Sequence, residues 1–266
     1  MSADILPGTA RVAFSLSMLG WALNEEESVG AYIDRAGAFL AAITDDYELI
    51  LIDDGSTDRT WAIALEFQRT RPWLKPYKNG RNRGSGYNTK RAVSLATKDY
   101  VFWQTVDWAY DIRHLAKALP KLKDVNVLQG VRTNALTVDG MIDRRSDSVY
   151  KGLISLVNYW LIRLLFRLPI SDYQNVTVYP RQLIQSVLLE SESSFTNPEC
   201  LLKTWWRGAS FLEVPVPFVK RQKGIGKGTR PRAVLAAIAD ILYWWSQWLL
   251  LRRCADRQRG SVIRTA

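Results

Sequence analysis

The stretch that most constrains this chain runs from Tyr47 to Thr60 and reads Y-E-L-I-L-I-D-D-G-S-T-D-R-T. The run from Glu48 to Ile52 is mostly apolar, too short for a helix and rich in branched side chains, so it reads as a buried strand. Asp53 and Asp54 stand where that run stops. Gly55 permits a tight turn, and Ser56 or Thr57 is placed to cap the helix that follows. In open α/β sheets, ligands bind in the crevice beyond the carboxyl ends of the strands. Two acids held there repel each other unless something uses them. A ribose, a nucleobase N–H or a metal ion would do so. A plain strand-to-helix turn explains a lone acid pair; the whole D-D-G-S-T-D-x-T pattern after a buried strand points to a ligand site.

The flanking sequence alternates strand and helix signals. Residues 1–10 are a polar lead, and Arg11 to Leu19 alternates like a strand. Asn24 is placed to cap a helix with Glu25, Glu26 and Glu27 in its first turn, where acids suit the dipole. That helix is expected to reach Ile43 with Val29, Ile33, Ala36 and Leu40 on one face. A second helix is expected near Thr60 to Arg69, ended by Pro72, and a third strand over Trp73 to Lys78. Asn79 to Tyr87, N-G-R-N-R-G-S-G-Y, carries glycines before a helix, a pattern that lets backbone N–H groups approach an anion. Asp99 to Gln104 reads as a strand leading into T-V-D-W-A-Y-D, and Val125 to Arg132 as another. Thr133 to Ser148 is polar and basic, a flexible loop or a solvated charge run.

Val149 to Leu168 reads as a helix with an apolar face and with Arg163 and Arg167 inside it, which argues against a membrane span and suits the headgroup level. Phe195 to Glu199 opens a further helix. Ala209 to Val219 reads as an edge strand because of its prolines. The segment 230–254 is Trp-rich; within it Ala233 to Leu251 is apolar except for Asp240, Ser246 and Gln247, with arginines at both ends. It is expected to lie in a membrane interface, with a span or a plain packing helix as alternatives. Residues 255–266 are polar and expected to be loose.

The 266 residues suffice for one large α/β domain. Lys and Arg number 36 against 26 acids, a net charge of +10 that suits anionic partners. No nucleic-acid-binding module is legible, so phosphates and an anionic membrane rank first. Cys200 and Cys254 lie far apart without metal spacing and read as free thiols. His114 reads as a surface or packing residue. The N-terminus lacks the basic and apolar regions of a signal peptide.

The acid octet resembles the nucleotide-sugar motif of glycosyltransferase family 2. The nearest likeness is to the branch of dolichol-phosphate-mannose synthases and polyprenyl-phosphate sugar transferases. The resemblance runs from about Val12 to Lys227. It includes Asn24-Glu25 of a P-x-Y-N-E loop whose aromatic is Leu23 here, and the N-x-G-x-G segment with Arg83 and Gly84. Gly130 and Arg132 match a G-x-R element, Glu213 to Val216 match E-V-P-V, and Arg221, Gly224 and Lys227 match a basic R-x-x-G-x-S-K tail in which Gly226 replaces Ser. The family's D-x-D appears as Thr105-Val106-Asp107, so its first acid is missing.

The resemblance implies a GT-A fold: a mostly parallel central sheet flanked by helices over residues 11–229, followed by the amphipathic helix. It implies inverting transfer from a nucleotide-diphosphate sugar to a polyprenyl phosphate at the cytoplasmic face of a membrane. The implied substrate-binding set is Leu23, Glu25, Asp53, Asp54, Ser56, Arg83, Gly84, Gln104, Arg132, Arg144 and Lys227. The implied catalytic set is Asp107, Glu199 and Arg221, with Asp107 as the protein ligand of Mg²⁺ or Mn²⁺. A hydroxyl acceptor is a second possibility and would need a general base, Glu199 or Asp111. A third is a catalytically weak nucleotide-binding homologue acting as a membrane-associated partner, which the change at Thr105 keeps open.

Overall fold

The computed structural model describes residues 5–108, 110–132, 149–217, 231–251 and 260–264. Its elements follow in chain order as β1 (Leu16–Ala22), α1 (Val29–Ile43), β2 (Tyr47–Asp53), α2 (Thr60–Gln68), β3 (Leu74–Lys78), α3 (Ser85–Leu95) and β4 (Tyr100–Trp103). Then come α4 (Arg113–Ala118), β5 (Val127–Val131), α5 (Val149–Phe166), β6 (Thr177–Pro180), α6 (Arg181–Ser186), α7 (Thr196–Trp206) and β7 (Ser210–Pro215). The last are α8 (Pro231–Trp245), a π turn over Ser246–Leu250, and β8 (Ser261–Arg264).

Among the described residues, eight strands join one sheet in the order β3-β2-β1-β4-β6-β5-β7-β8. Only β6 runs against its neighbours, β4 and β5. Every other pairing is parallel. The strand order reverses between β1 and β4, so their carboxyl ends form the switch point at which such sheets bind ligands. Because β6 opposes both β4 and β5, those two point the same way, and the loops after β1, β2, β3, β4, β5 and β7 all leave one edge.

The centre of β2, Leu49 to Ile52, is apolar throughout because both of its faces are covered. Leu49 and Leu51 point into a cluster with Val29, Ile33, Ala36 and Leu40 of α1. Ile50 and Ile52 point into the opposite cluster with α3, α5, α7 and Trp248. This alternation is the two-residue period of a strand.

Several expectations need correction. The first strand is displaced toward Ala22, because Gly20 to Ala22 pair with Leu51 to Asp53 of β2. Helix α1 starts at Val29, so Glu25 to Glu27 precede it and Asn24 is not its cap. Strand β7 is interior, paired with β5 on one side and β8 on the other; its proline sits at its end, where a missing N–H costs no internal rung. The tail is not loose throughout: Ser261–Arg264 is the outer strand, and the Arg264 guanidinium reaches Glu213 Oε2 at 3.2 Å. The C-terminal helical segment is part of the core as well as the surface, for Trp248 is 1% exposed and Ile241 is buried.

Candidate active site

Asp53 ends β2 with its side chain 2% exposed. Its Oδ1 accepts the Ser56 N–H at 3.1 Å, which closes the acid turn on itself. Its Oδ2 is buried without a hydrogen bond. The nearest cation is Lys78 Nζ, 3.6 Å away, at the end of β3 in register with Asp53. A buried carboxylate oxygen left in that state is costly unless a ligand donates to it. Gly55 follows at φ 80°, with the Arg81 backbone where a Cβ would sit, so no other residue fits this turn.

Asp54 is used differently. Its Oδ1 accepts Asn79 Nδ2 at 2.7 Å and the Arg83 N–H at 2.8 Å, and its Oδ2 accepts the Gly84 N–H at 3.0 Å. Asn79 is held in turn by Asn88 and Arg91. The glycine-rich loop thus wraps an anion of the protein itself. The Arg83 guanidinium lies over the Tyr87 ring, 4.0 Å from its centroid.

The loop after β1 is laced to the acid turn. Asn24 donates its N–H to Ser56 Oγ at 3.0 Å and accepts the Thr57 N–H at 2.9 Å. Asn24 holds φ 55°, a conformation asparagine tolerates better than most residues. Neither Ser56 nor Thr57 caps α2; the Thr60 N–H goes to Asp58 Oδ1 at 2.9 Å. Glu25 is half-buried, donates its N–H to Thr60 Oγ1 at 2.8 Å and accepts the Ser28 hydroxyl. Leu23 is half-buried at the mouth of this loop.

The turn after β4 is built around Gln104. Its Nε2 donates to Tyr110 O at 2.7 Å and its Oε1 accepts the Thr105 N–H at 3.1 Å, so its side chain serves the turn. Trp108 donates its N–H to Thr105 O at 2.9 Å and stands at φ 49°. Asp107 is exposed at the tip of this turn. Among the described residues no three acid, His or Cys side chains converge on a metal position. The donor chemistry still fits Mg²⁺ or Mn²⁺, because such ions are held by one or two carboxylates while phosphates and water complete the shell.

Arg132 and Asp172 form a buried ion pair, with Arg132 Nε 2.6 Å from Asp172 Oδ2 and the Arg132 N–H on the same oxygen at 3.2 Å. Burial pulls the guanidinium down, but Asp172 outweighs it and pushes Arg132 above its usual range. Arg132, expected to contact substrate, has its fork on Asp172 in this structure. Glu199 is 0% exposed, and its carboxylate accepts the N–H groups of Glu190 at 2.7 Å and Ser191 at 2.9 Å and pairs with Lys203 Nζ at 2.6 Å. In this arrangement Glu199, the expected catalytic acid, anchors the loop before α7. Arg144, Arg221 and Lys227 lie outside the described residues.

Sequence reasoning passed over Lys78, Asn79 and Asp172 as site-building residues. Lys78 and Asn79 carried a usable signal, for they end a strand as Asp53 and Asp54 do.

The chain matches the glycosyl transferase family 2 profile over residues 21–181, more than half its length. The chain belongs to glycosyl transferase family 2. Among curated relatives of this family 2 member, the glycosyltransferase AglD of Haloferax volcanii is 26% identical over 90% of the chain and 37% of its own length. The dodecaprenyl-phosphate galacturonate synthase of Rhizobium johnstonii is 28% identical over 68% of the chain and 52% of its own length. An undecaprenyl-phosphate 4-deoxy-4-formamido-L-arabinose transferase of Pectobacterium carotovorum is 27% identical over 77% of the chain. The chain spans 59% of that relative, so it matches only part of each of the three. Glucosyl-3-phosphoglycerate synthase of Mycobacterium tuberculosis, solved with Mn²⁺, UDP and phosphoglyceric acid, shares the fold with a TM-score of 0.60 at 16% identity, over 87% of this chain and 78% of that one. The Pyrobaculum calidifontis mannosyltransferase PcManGT, solved with GDP-mannose and Mn²⁺, shares it with a TM-score of 0.55 at 15% identity, over 93% and 75%. The fold of this family 2 member is therefore GT-A.

Proposed function

We propose that this chain transfers a glycosyl group, with inversion, from a nucleoside-diphosphate sugar to a polyprenyl phosphate at a membrane surface. The observation that carries the donor half is the buried Asp53 Oδ2 without a hydrogen bond at the switch point. A carboxylate oxygen accepts only, so its partner must bring an N–H or O–H, as a nucleobase imide or a ribose does. Relatives named for dodecaprenyl and undecaprenyl phosphate support the acceptor half.

An oxygen of the acceptor phosphate attacks the anomeric carbon opposite the diphosphate. The new C–O bond forms as the bond to the diphosphate oxygen breaks, and the nucleoside diphosphate departs with the electron pair. A divalent ion held by Asp107 would neutralise charge on that leaving group. Arg221 and Lys227 are proposed to add positive charge near the phosphates, and Arg144 to face donor or acceptor. Most of the rate then comes from positioning and electrostatics.

A phosphate nucleophile is already anionic and needs no general base. A hydroxyl acceptor would need one, and both candidates are engaged. Glu199 is sealed inside, and Asp111 is paired with Arg113 through both carboxylate oxygens at 2.7 Å. Burial pushes Asp111 up, but Arg113 wins and holds it below the usual carboxylate range. That favours the phosphate acceptor.

The test incubates the protein with UDP- and GDP-sugars, Mn²⁺ and undecaprenyl phosphate in mixed vesicles, and follows lipid products by mass spectrometry. A glycosyl-phosphoprenol is expected. Product on a lipid or soluble hydroxyl instead, with none on the phosphate, would sink the acceptor assignment.

A further inference from the structure

We infer that Trp108, clamped by Tyr32 and Arg35 of α1, is a positioning residue that holds Asp107 in its ligand-binding pose. The inference rests on the proposed donor site.

Trp108 directly follows Asp107 and is strained. A left-handed backbone at φ 49° is an outlier for a bulky residue and persists only where the surroundings over-determine it. Here they do. The indole is nearly buried, 6.0 Å from the Tyr32 ring and 6.3 Å from the Phe39 ring, centroid to centroid. The Arg35 guanidinium covers its face at 4.3 Å. Its Nε1–H is buried and makes no hydrogen bond, so shape and ring contacts hold this side chain, not a polar tether.

Tyr32 also grips the other end of the turn. Its hydroxyl donates to Gln104 O at 3.2 Å. Burial pushes this phenol far above its ordinary range, which keeps it protonated as the donor. Its path crosses β1 at Gly20, where a Cβ would stand 2.2 Å from the hydroxyl oxygen, so the glycine makes the crossing possible. One helix therefore fixes both the residue before T-V-D, Gln104, and the residue after it, Trp108.

The consequence follows from Thr105. With the first acid of the usual pair replaced, one carboxylate must supply what two would, and a ligand held in its bound pose loses less freedom on binding. Rigid support of Asp107 compensates for the missing partner.

The test measures the affinity of UDP and GDP by calorimetry with and without Mn²⁺, in the full chain and in three variants. Tyr32→Phe removes only the hydroxyl. Trp108→Gly removes the anchor and the strain together. Trp108→Phe keeps a ring under Arg35. Tyr32→Phe and Trp108→Gly are expected to lose at least fivefold of the Mn²⁺-dependent gain in affinity while metal-free affinity stays within twofold, and Trp108→Phe is expected to retain that gain. Full gain in Tyr32→Phe and in folded Trp108→Gly overturns the positioning role. Should Trp108→Gly fail to fold, full gain in Tyr32→Phe alone overturns it. A wild-type chain that binds neither nucleotide overturns the donor site itself, and the inference with it.

Discussion

Asp54 holds the glycine-rich loop by the Gly84 amide, whose N–H reaches Asp54 Oδ2 at 3.0 Å. The adjacent acid, Asp53, has the opposite condition, with one buried oxygen making no hydrogen bond. Two neighbouring carboxylates thus differ: Asp54 shapes the glycine-rich loop, and Asp53 is the one proposed to meet the ligand.

Substitution should separate these roles. Asp53→Asn should weaken UDP or GDP binding at least tenfold, since a hydrogen bond to a charged group contributes about 1.5–3 kcal/mol. It should leave Tm nearly unchanged. Asp54→Ala should lower both affinity and Tm, because three donors lose their acceptor. Calorimetry and thermal unfolding read the two effects, and equal loss of Tm in both variants would contradict the division.

The Arg132–Asp172 pair is expected to be structural. Asp172→Ala leaves a buried guanidinium without its partner and should cost about 3–5 kcal/mol of stability. Arg132→Met should cost a similar amount, because it strands the buried Asp172 carboxylate, whereas replacing both partners, Arg132→Met with Asp172→Leu, should cost less than either single change. Denaturant titration checks the order, and a reversed order would refute the structural assignment.

How much of this was legible in the sequence depends on how local its cause is. The buried β2 run, the acid pair and the Gly55 turn are set by neighbouring residues and could be read directly. The Arg132–Asp172 pair could not, because β6 enters antiparallel between β4 and β5 and brings Asp172 to Arg132 from far along the chain. Glu199 shows the same limit. An acid in a first helical turn reads alike whether it faces solvent or the interior, and only the loop at Glu190 and Ser191 decides. The S-V-I-R segment of β8 is too short and polar to announce a strand, and its partner β7 gave a false edge signal through its prolines.

Glu199 makes stability depend on pH. Burial pushes its carboxyl up, against the opposing pull of Lys203 and of the Glu190 and Ser191 N–H groups, and the net direction is upward. The folded chain therefore holds that proton more tightly than the unfolded chain. The contribution is complete below the ordinary carboxylate range, about pH 4, and is lost as pH rises through the folded value. The stability of wild type relative to Glu199→Gln should accordingly fall as pH is raised from about 4 to about 7. Tm measured across that range checks the sign; a rising difference would mean that Lys203 dominates.

The membrane reading is best tested on the surface, not by truncation. Cutting after Arg232 would remove Ile241, Trp248 and β8, and with them part of the core. Trp248 also donates its indole N–H to Glu190 Oε2 at 2.7 Å, tying the C-terminal segment to the loop before α7. Outward, α5 exposes Val157, Trp160 and Leu164, and the C-terminal segment exposes Leu235, Leu242, Tyr243, Leu250 and Leu251. Leu164 is 69% exposed and Leu250 61%, so charging them disturbs no packing. None of the described helices is long and apolar enough to cross a membrane. Full burial of a leucine contributes about 1.5–3 kcal/mol, and about 1.4 kcal/mol is tenfold in affinity. Leu164→Glu with Leu250→Glu should therefore lower binding to anionic vesicles at least tenfold, with Tm and nucleotide affinity preserved. Co-flotation at low and high salt reads the result. Equal flotation of variant and wild type would detach this face from the membrane, and no flotation by either would leave the lipid-phosphate acceptor without its physical support.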